Sequence, residues 1–66
     1  MIPVATYHED SVLIEFDSTT PAKDVLDALK PFVRDHPGRY QLVYLPPGLI
    51  DGDPLPQRGY LGLRTP

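Results

Sequence analysis

Ser11-Val12-Leu13-Ile14-Glu15-Phe16-Asp17 decides the fold class. Val12, Ile14 and Phe16 fall on one side of an extended chain, and Ser11, Leu13, Glu15 and Asp17 on the other. Leu13 is the one apolar residue on the polar side. Such period-two alternation marks a strand with one buried face. Upstream, Ile2 to His8 forms a second candidate strand, with Pro3 tolerated only near its start or on an edge, and Glu9-Asp10 is a polar turn between the two. A lone hairpin is not stable in water, so its apolar face needs a cover.

The cover comes next in the chain. Ser18-Thr19-Thr20-Pro21 is a helix start, with Thr20 as the cap and Pro21 at the first helical position. Val25, Leu26, Leu29, Phe32 and Val33 recur at spacings of three and four, which makes one apolar helix stripe. Lys23, Asp24, Asp27 and Lys30 take the wet side. Pro31 conflicts with this pattern, because proline inside a helix costs about 3 kcal/mol. The expectation is a helix over about residues 21–30, then a kinked or tighter turn holding Phe32 and Val33, ended by Asp35-His36-Pro37-Gly38.

Arg39 to Leu45 is a third strand, with Tyr40, Leu42 and Tyr44 on one face and Gln41, Val43 and Leu45 on the other. Pro46-Pro47-Gly48 stops it. Leu49-Ile50 is a short apolar pair, Asp51-Gly52 a turn signal, and Asp53-Pro54-Leu55-Pro56 irregular and stiff. Tyr60 to Arg64 is a short last strand. Six of the nine prolines follow the helix, so this half is expected to be held by loops of fixed φ rather than by long ladders. The two alternating segments, Val12–Phe16 and Tyr40–Tyr44, are expected side by side in one sheet. They would clasp the Val25/Leu29 stripe and leave Val43 turned toward water.

Composition limits what such a chain can do. Sixty-six residues make one domain, residues 1–66, too small for a cofactor domain or an elaborate active site. There is no cysteine, hence no disulfide and no thiolate metal site. Apolar residues at 41% and charged residues at 23% fit a folded domain rather than a disordered tail. No apolar run approaches the roughly 20 residues of a membrane span, and no signal peptide is visible. A cytoplasmic location is the expectation. The net charge of −3 argues against nucleic acid as the main partner. Residues 1–33 hold six acids against two lysines, a balance of −4, while residues 34–66 hold four arginines against three aspartates, a balance of +1.

The order strand, turn, strand, helix, strand, Asp-Gly loop, short strand resembles the ubiquitin-like β-grasp family. Val12-Leu13-Ile14-Glu15-Phe16-Asp17 resembles that family's second strand, and Val25 and Leu29 its inward helix pair. Leu42-Val43-Tyr44-Leu45-Pro46-Pro47-Gly48-Leu49-Ile50-Asp51-Gly52-Asp53-Pro54-Leu55 is similar, without a gap, to the Leu-aliphatic-aromatic segment and the Leu-x-Asp-Gly-x-x-Leu that follows it in ubiquitin. The resemblance spans about residues 4–55. It implies an α+β fold: a small mixed sheet covered on one face by one helix, a ββαβ core plus a short C-terminal strand. The chain departs from the family at its end, where Leu61-Gly62-Leu63-Arg64-Thr65-Pro66 lacks the Gly-Gly pair that conjugated members and sulfur carriers use. The segment after Leu55 is also shorter, which implies a stunted or missing last strand.

The same resemblance places Val43 at the centre of a hydrophobic recognition patch and Arg39 at its basic neighbour. Val43, Leu45 and Leu13, with Leu61 or Leu63 joining them, would form an apolar area on the sheet face that the helix does not cover. Scattered surface aliphatics are ordinary, so the face shared by Val43 and Leu45 carries the reading. His8-Glu9-Asp10 has ligand residue types but too few partners nearby for a metal. His36 suits a helix C-terminus, and Asp51 and Asp53 suit a turn better than a calcium loop. No histidine base is within argued reach of Ser11, Ser18 or the threonines, Tyr40, Tyr44 and Tyr60 suit core or rim positions, and no phosphate loop is present. The function expected is therefore a non-enzymatic protein–protein interaction module with no cofactor, no metal, no nucleic acid and no membrane partner. Two other classes stand beside it: a modifier joined through its C-terminus, and a small inhibitor of one enzyme of the kind phages and mobile elements carry. The edges near Ile2 and Tyr60 offer pairing with a second copy.

Overall fold

A computed structural model describes residues 1–47 and 58–66. The chain forms β1 (Val4–Tyr7), β2 (Ser11–Asp17), α1 (Ala22–Asp35), β3 (Gln41–Leu45) and β4 (Arg58–Arg64). It is a small α+β domain in which one helix packs against a four-stranded sheet of order β1-β2-β4-β3. Among the described residues no helix is long and apolar enough to cross a membrane.

The alternation in β2 sets the layering. Val12, Ile14 and Phe16 point under the helix and are buried; with Val25 and Phe32 of α1 and Leu63 of β4 they make the core. Ala5, Ala28, Leu29, Tyr40 and Leu61 pack around them. β1 returns against β2 through the Glu9-Asp10 turn, closed by the His8 N–H donating to the Ser11 carbonyl at 2.8 Å. The Tyr7 hydroxyl reaches across to the Ala28 carbonyl at 2.7 Å and ties β1 to the helix.

Four expectations need correction. First, β2 and β3 are not neighbours: β4 lies between them and pairs antiparallel with both. β2 and β3 thus run parallel to each other as a split β-α-β unit, with the last strand filling the gap. Second, the sheet is antiparallel throughout the described residues rather than mixed. Third, the last strand is neither short nor stunted. It has seven residues, as many as β2, and sits in the sheet interior, because Leu61 and Leu63 have core neighbours to bury against. Tyr60 is therefore no edge residue; among the described residues the edges are β1 and β3. Fourth, the helix runs unbroken through Pro31 to Asp35. Pro31 lies on the exposed side, where the carbonyl it leaves unpaired meets water instead of the core.

The helix start also differs in detail. Pro21 is the N-cap, and no side chain caps the helix. Thr20 instead closes the bend after β2: its Oγ accepts the Asp17 backbone N–H at 3.1 Å. After the helix the chain turns at Gly38, whose φ of 139° favours glycine. The Leu49-Ile50 pair, the Asp51-Gly52 turn and the Asp53-Pro54-Leu55-Pro56 stretch lie outside the described residues.

Candidate partner-binding face

The pairing register builds the face opposite the helix row by row. One row runs Thr6, Leu13, Gly62, Val43 across β1, β2, β4 and β3; the next runs Val4, Glu15, Tyr60, Leu45; a third joins Ser11, Arg64 and Gln41. Leu13, Val43 and Leu45 are 46%, 61% and 44% exposed. The three aliphatics thus share one open face, as their positions in the sequence imply. They come together through β4: Leu13 and Val43 stand on either side of Gly62, and Leu45 stands beside Tyr60.

Arg39 lies outside the strand, exposed, two residues before β3. Leu61 and Leu63 do not join the patch. They point under the helix, Leu63 buried and Leu61 packed against the core.

Gly62 is the residue that sequence reasoning missed. A Cβ built there would stand 3.8 Å from Leu13 Cδ1 and 3.9 Å from Val43 Cβ, both ordinary contacts, and its φ is not positive. Neither backbone nor packing requires glycine here. Its effect is a notch one side chain deep, with Leu13 and Val43 as walls and Ser11, Gln41 and Arg64 at one end. Glycine inside a strand weakens it and often marks a place where another molecule approaches closely. Gly59, three residues earlier, is different. A Cβ there would come within 2.7 Å of Pro47 Cδ and 2.9 Å of both the Leu45 carbonyl oxygen and Phe16 Cε2. The signal for Gly62 was its place in the alternation Tyr60, Gly62, Arg64, legible only once β4 was known to be a strand.

Charge frames the notch. On the side away from Arg64, Glu15 of β2 pairs with Arg58 of β4, and the Tyr60 hydroxyl donates to the same carboxylate oxygen at 3.3 Å. The hydrogen bond and charge of Glu15 push the Arg58 guanidinium's pKa up. At the other end, Arg64 follows Gly62 by two residues on the same face.

The remaining candidates are placed structurally. Both His36 ring nitrogens lie against backbone carbonyls, Nδ1 3.1 Å from that of Phe32 and Nε2 2.7 Å from that of Glu9. Among the described residues no group of three or more His, Asp or Glu is placed to hold a metal ion. Asp51 and Asp53 lie outside the described residues.

A second apolar surface was not expected. α1 lies over β2 and β1 and makes no close backbone approach to β3. Leu42 and Tyr44, on the helix side of β3, are left 62% and 54% exposed, and Leu26 and Val33 of the predicted helix stripe are exposed as well. Tyr44 is held by stacking on Phe16, with ring centroids 6.4 Å apart. Compared with known proteins, the chain matches no protein-family model, no curated protein and no solved structure.

Proposed function

We propose that this domain is a non-catalytic protein–protein interaction module that docks a partner on the open sheet face, over the row Leu13–Gly62–Val43. One observation carries the reading: an exposed apolar row is notched by a glycine that the fold does not require. The partner is a protein segment that offers an aliphatic side chain to the notch and a carboxylate to Arg64. Arg39 adds positive charge on the β3 side, which speeds encounter with an acidic segment more than it tightens the complex.

The element order ββαββ supports the ubiquitin-like comparison, in which a sheet face rather than a cleft does the binding. The antiparallel β2–β4 pairing departs from the mixed sheet which that comparison implies. A face this small buries an interface at the low end of the specific range, so affinity on the order of micromolar is expected. The test is an affinity capture with wild type, Val43→Asp and Gly62→Val side by side. A protein retained by wild type and lost by both variants, with far-UV spectrum and melting point close to wild type, supports the proposal. Equal retention by all three overturns it.

A further inference from the structure

β3 combines features that rarely occur together in an isolated domain. It is an edge strand, paired only to β4 among the described residues. All five of its residues are exposed. Four of them, Leu42, Val43, Tyr44 and Leu45, are large and apolar, and they point alternately to both faces. A strand apolar on both faces is the pattern of a strand covered on both sides. Natural edges are protected by charge, proline, a bulge or a covering helix. Residues 41–45 contain no charge and no proline, and α1 lies elsewhere. The other edge, β1, is protected: α1 packs on it and Tyr7 bonds to the helix.

We propose that β3 pairs with β3 of a second copy of this chain, antiparallel and centred on Val43. The strand is self-complementary under a two-fold axis, the symmetry of most homodimers. Val43 then faces its own counterpart, Leu42 faces Tyr44, and Gln41 faces Leu45, so all five residues overlap and no like charges meet. A shift by two residues toward the strand's end brings Pro46, which has no N–H, into the ladder, and a shift the other way sets Arg39 opposite Leu45. A shift by one turns the second copy's helix to the opposite face. Electrostatics also favours a second copy at this edge. The six acids of residues 1–33 lie in the β1–β2 turn, β2 and α1, and β3 itself carries no charge, so among the described residues the copies approach by the less acidic edge.

In the dimer the two sheets become one of eight strands, with both helices on one face. The row Thr6–Leu13–Gly62–Val43 then continues through its mirror sequence in the second copy, giving one apolar stripe with two notches. Five paired residues bury less than the roughly 1,200 Å² at which standard interfaces begin. The association is therefore concentration-dependent. The inference rests on the exposure of β3 itself and stands apart from the docking reading.

Sedimentation equilibrium across a concentration series is the first measurement, with a mass rising toward twice 7.4 kDa expected. Leu42→Lys, on the face away from the notch, should weaken self-association at least tenfold. An equimolar mixture of Leu42→Lys with Leu42→Glu should restore it, because the two side chains lie diagonally across the axis, about 7–8 Å apart. The register has its own probe, since the chain has no cysteine. Val43→Cys places two thiols opposite one another with Cα atoms about 4.5–5.5 Å apart, within disulfide reach. Mild oxidation should link Val43→Cys into a dimer far faster than Leu13→Cys, which exposes a thiol on the same face away from the axis. A wild type that stays monomeric into the millimolar range overturns the proposal, as does Leu13→Cys linking as fast as Val43→Cys. Gly62→Val leaves the β3 edge intact, so loss of docking with dimerisation preserved, or the reverse with Leu42→Lys, separates this proposal from the docking one.

Discussion

His36 Nε2 lies 2.7 Å from the carbonyl oxygen of Glu9, so the end of α1 is joined directly to the turn between β1 and β2. The same ring stacks on Phe32 with centroids 4.4 Å apart, and its Nδ1 meets the Phe32 carbonyl. Both partners are carbonyls, which only accept hydrogen bonds. A neutral imidazole has one N–H and serves one of them; an imidazolium serves both.

Removing this ring detaches the helix end from the hairpin. One hydrogen bond is worth about 0.5–1.5 kcal/mol and the stack on Phe32 a similar amount, so His36→Ala should lower stability by about 1–3 kcal/mol. For a chain of this size the melting temperature falls by roughly 4–8 °C per kcal/mol. His36→Phe keeps the stack and loses the hydrogen bonds, so its melting temperature should fall between those of wild type and His36→Ala. A thermal melt followed by circular dichroism checks both; an unchanged His36→Ala melt would show that the contact carries no stability.

Acid should act on the fold through Asp17. Its carboxyl is held below its ordinary pKa of 3.8, chiefly by the Thr19 hydroxyl, which donates at 2.6 Å. Desolvation opposes the shift, while the Thr19 backbone N–H, the Thr20 hydroxyl and the N-terminal ammonium add to it. A carboxyl depressed in the folded state contributes stability that is complete above its unfolded pKa and is lost as pH falls through the folded one. The stability difference between wild type and Asp17→Asn should therefore be constant from about pH 5 to 7 and shrink below about pH 4. Urea midpoints measured across that range test it; a difference that grows on acidification contradicts the assignment.

The two glycines of β4 should respond oppositely to the same change. Gly59→Ala forces a Cβ into Pro47, Leu45 and Phe16, and overpacking of this kind costs about 1–3 kcal/mol. Gly62→Ala meets only ordinary contacts, so it should leave stability unchanged or raise it by up to about 1 kcal/mol through the unfolded chain's lost freedom. Equilibrium denaturation of the two variants decides between them. The reverse order would mean that β4 is registered one residue away from the pairing described.

Local periodicity carries the elements whose neighbours are close in sequence. The alternation of Val12, Ile14 and Phe16 located β2 and its buried face, the turn at Glu9-Asp10 located the hairpin, and the apolar stripe located α1. Alternation in Gln41–Leu45 assigned Val43 and Leu45 to one face, and β2 assigned Leu13 to its outer face. Those assignments follow from side-chain geometry within a single strand, which needs no knowledge of the partner.

Local pattern in the chain therefore located β1, β2, α1 and β3 and told which residues of each share a side, while the length of β4 and the end of α1 were not legible in it. Long-range packing settled that β4 inserts between β2 and β3, that Leu13 and Val43 meet across Gly62, and that, among the described residues, β3 lies at the edge with side chains exposed on both faces. The physical reason is that a strand's pattern records whether each side is wet or dry, but backbone hydrogen bonds carry no residue identity. Which strand becomes a neighbour is settled by the competition of whole faces for a single core. Leu61 and Leu63 brought β4 into that core, and Leu42 and Tyr44 were left outside it.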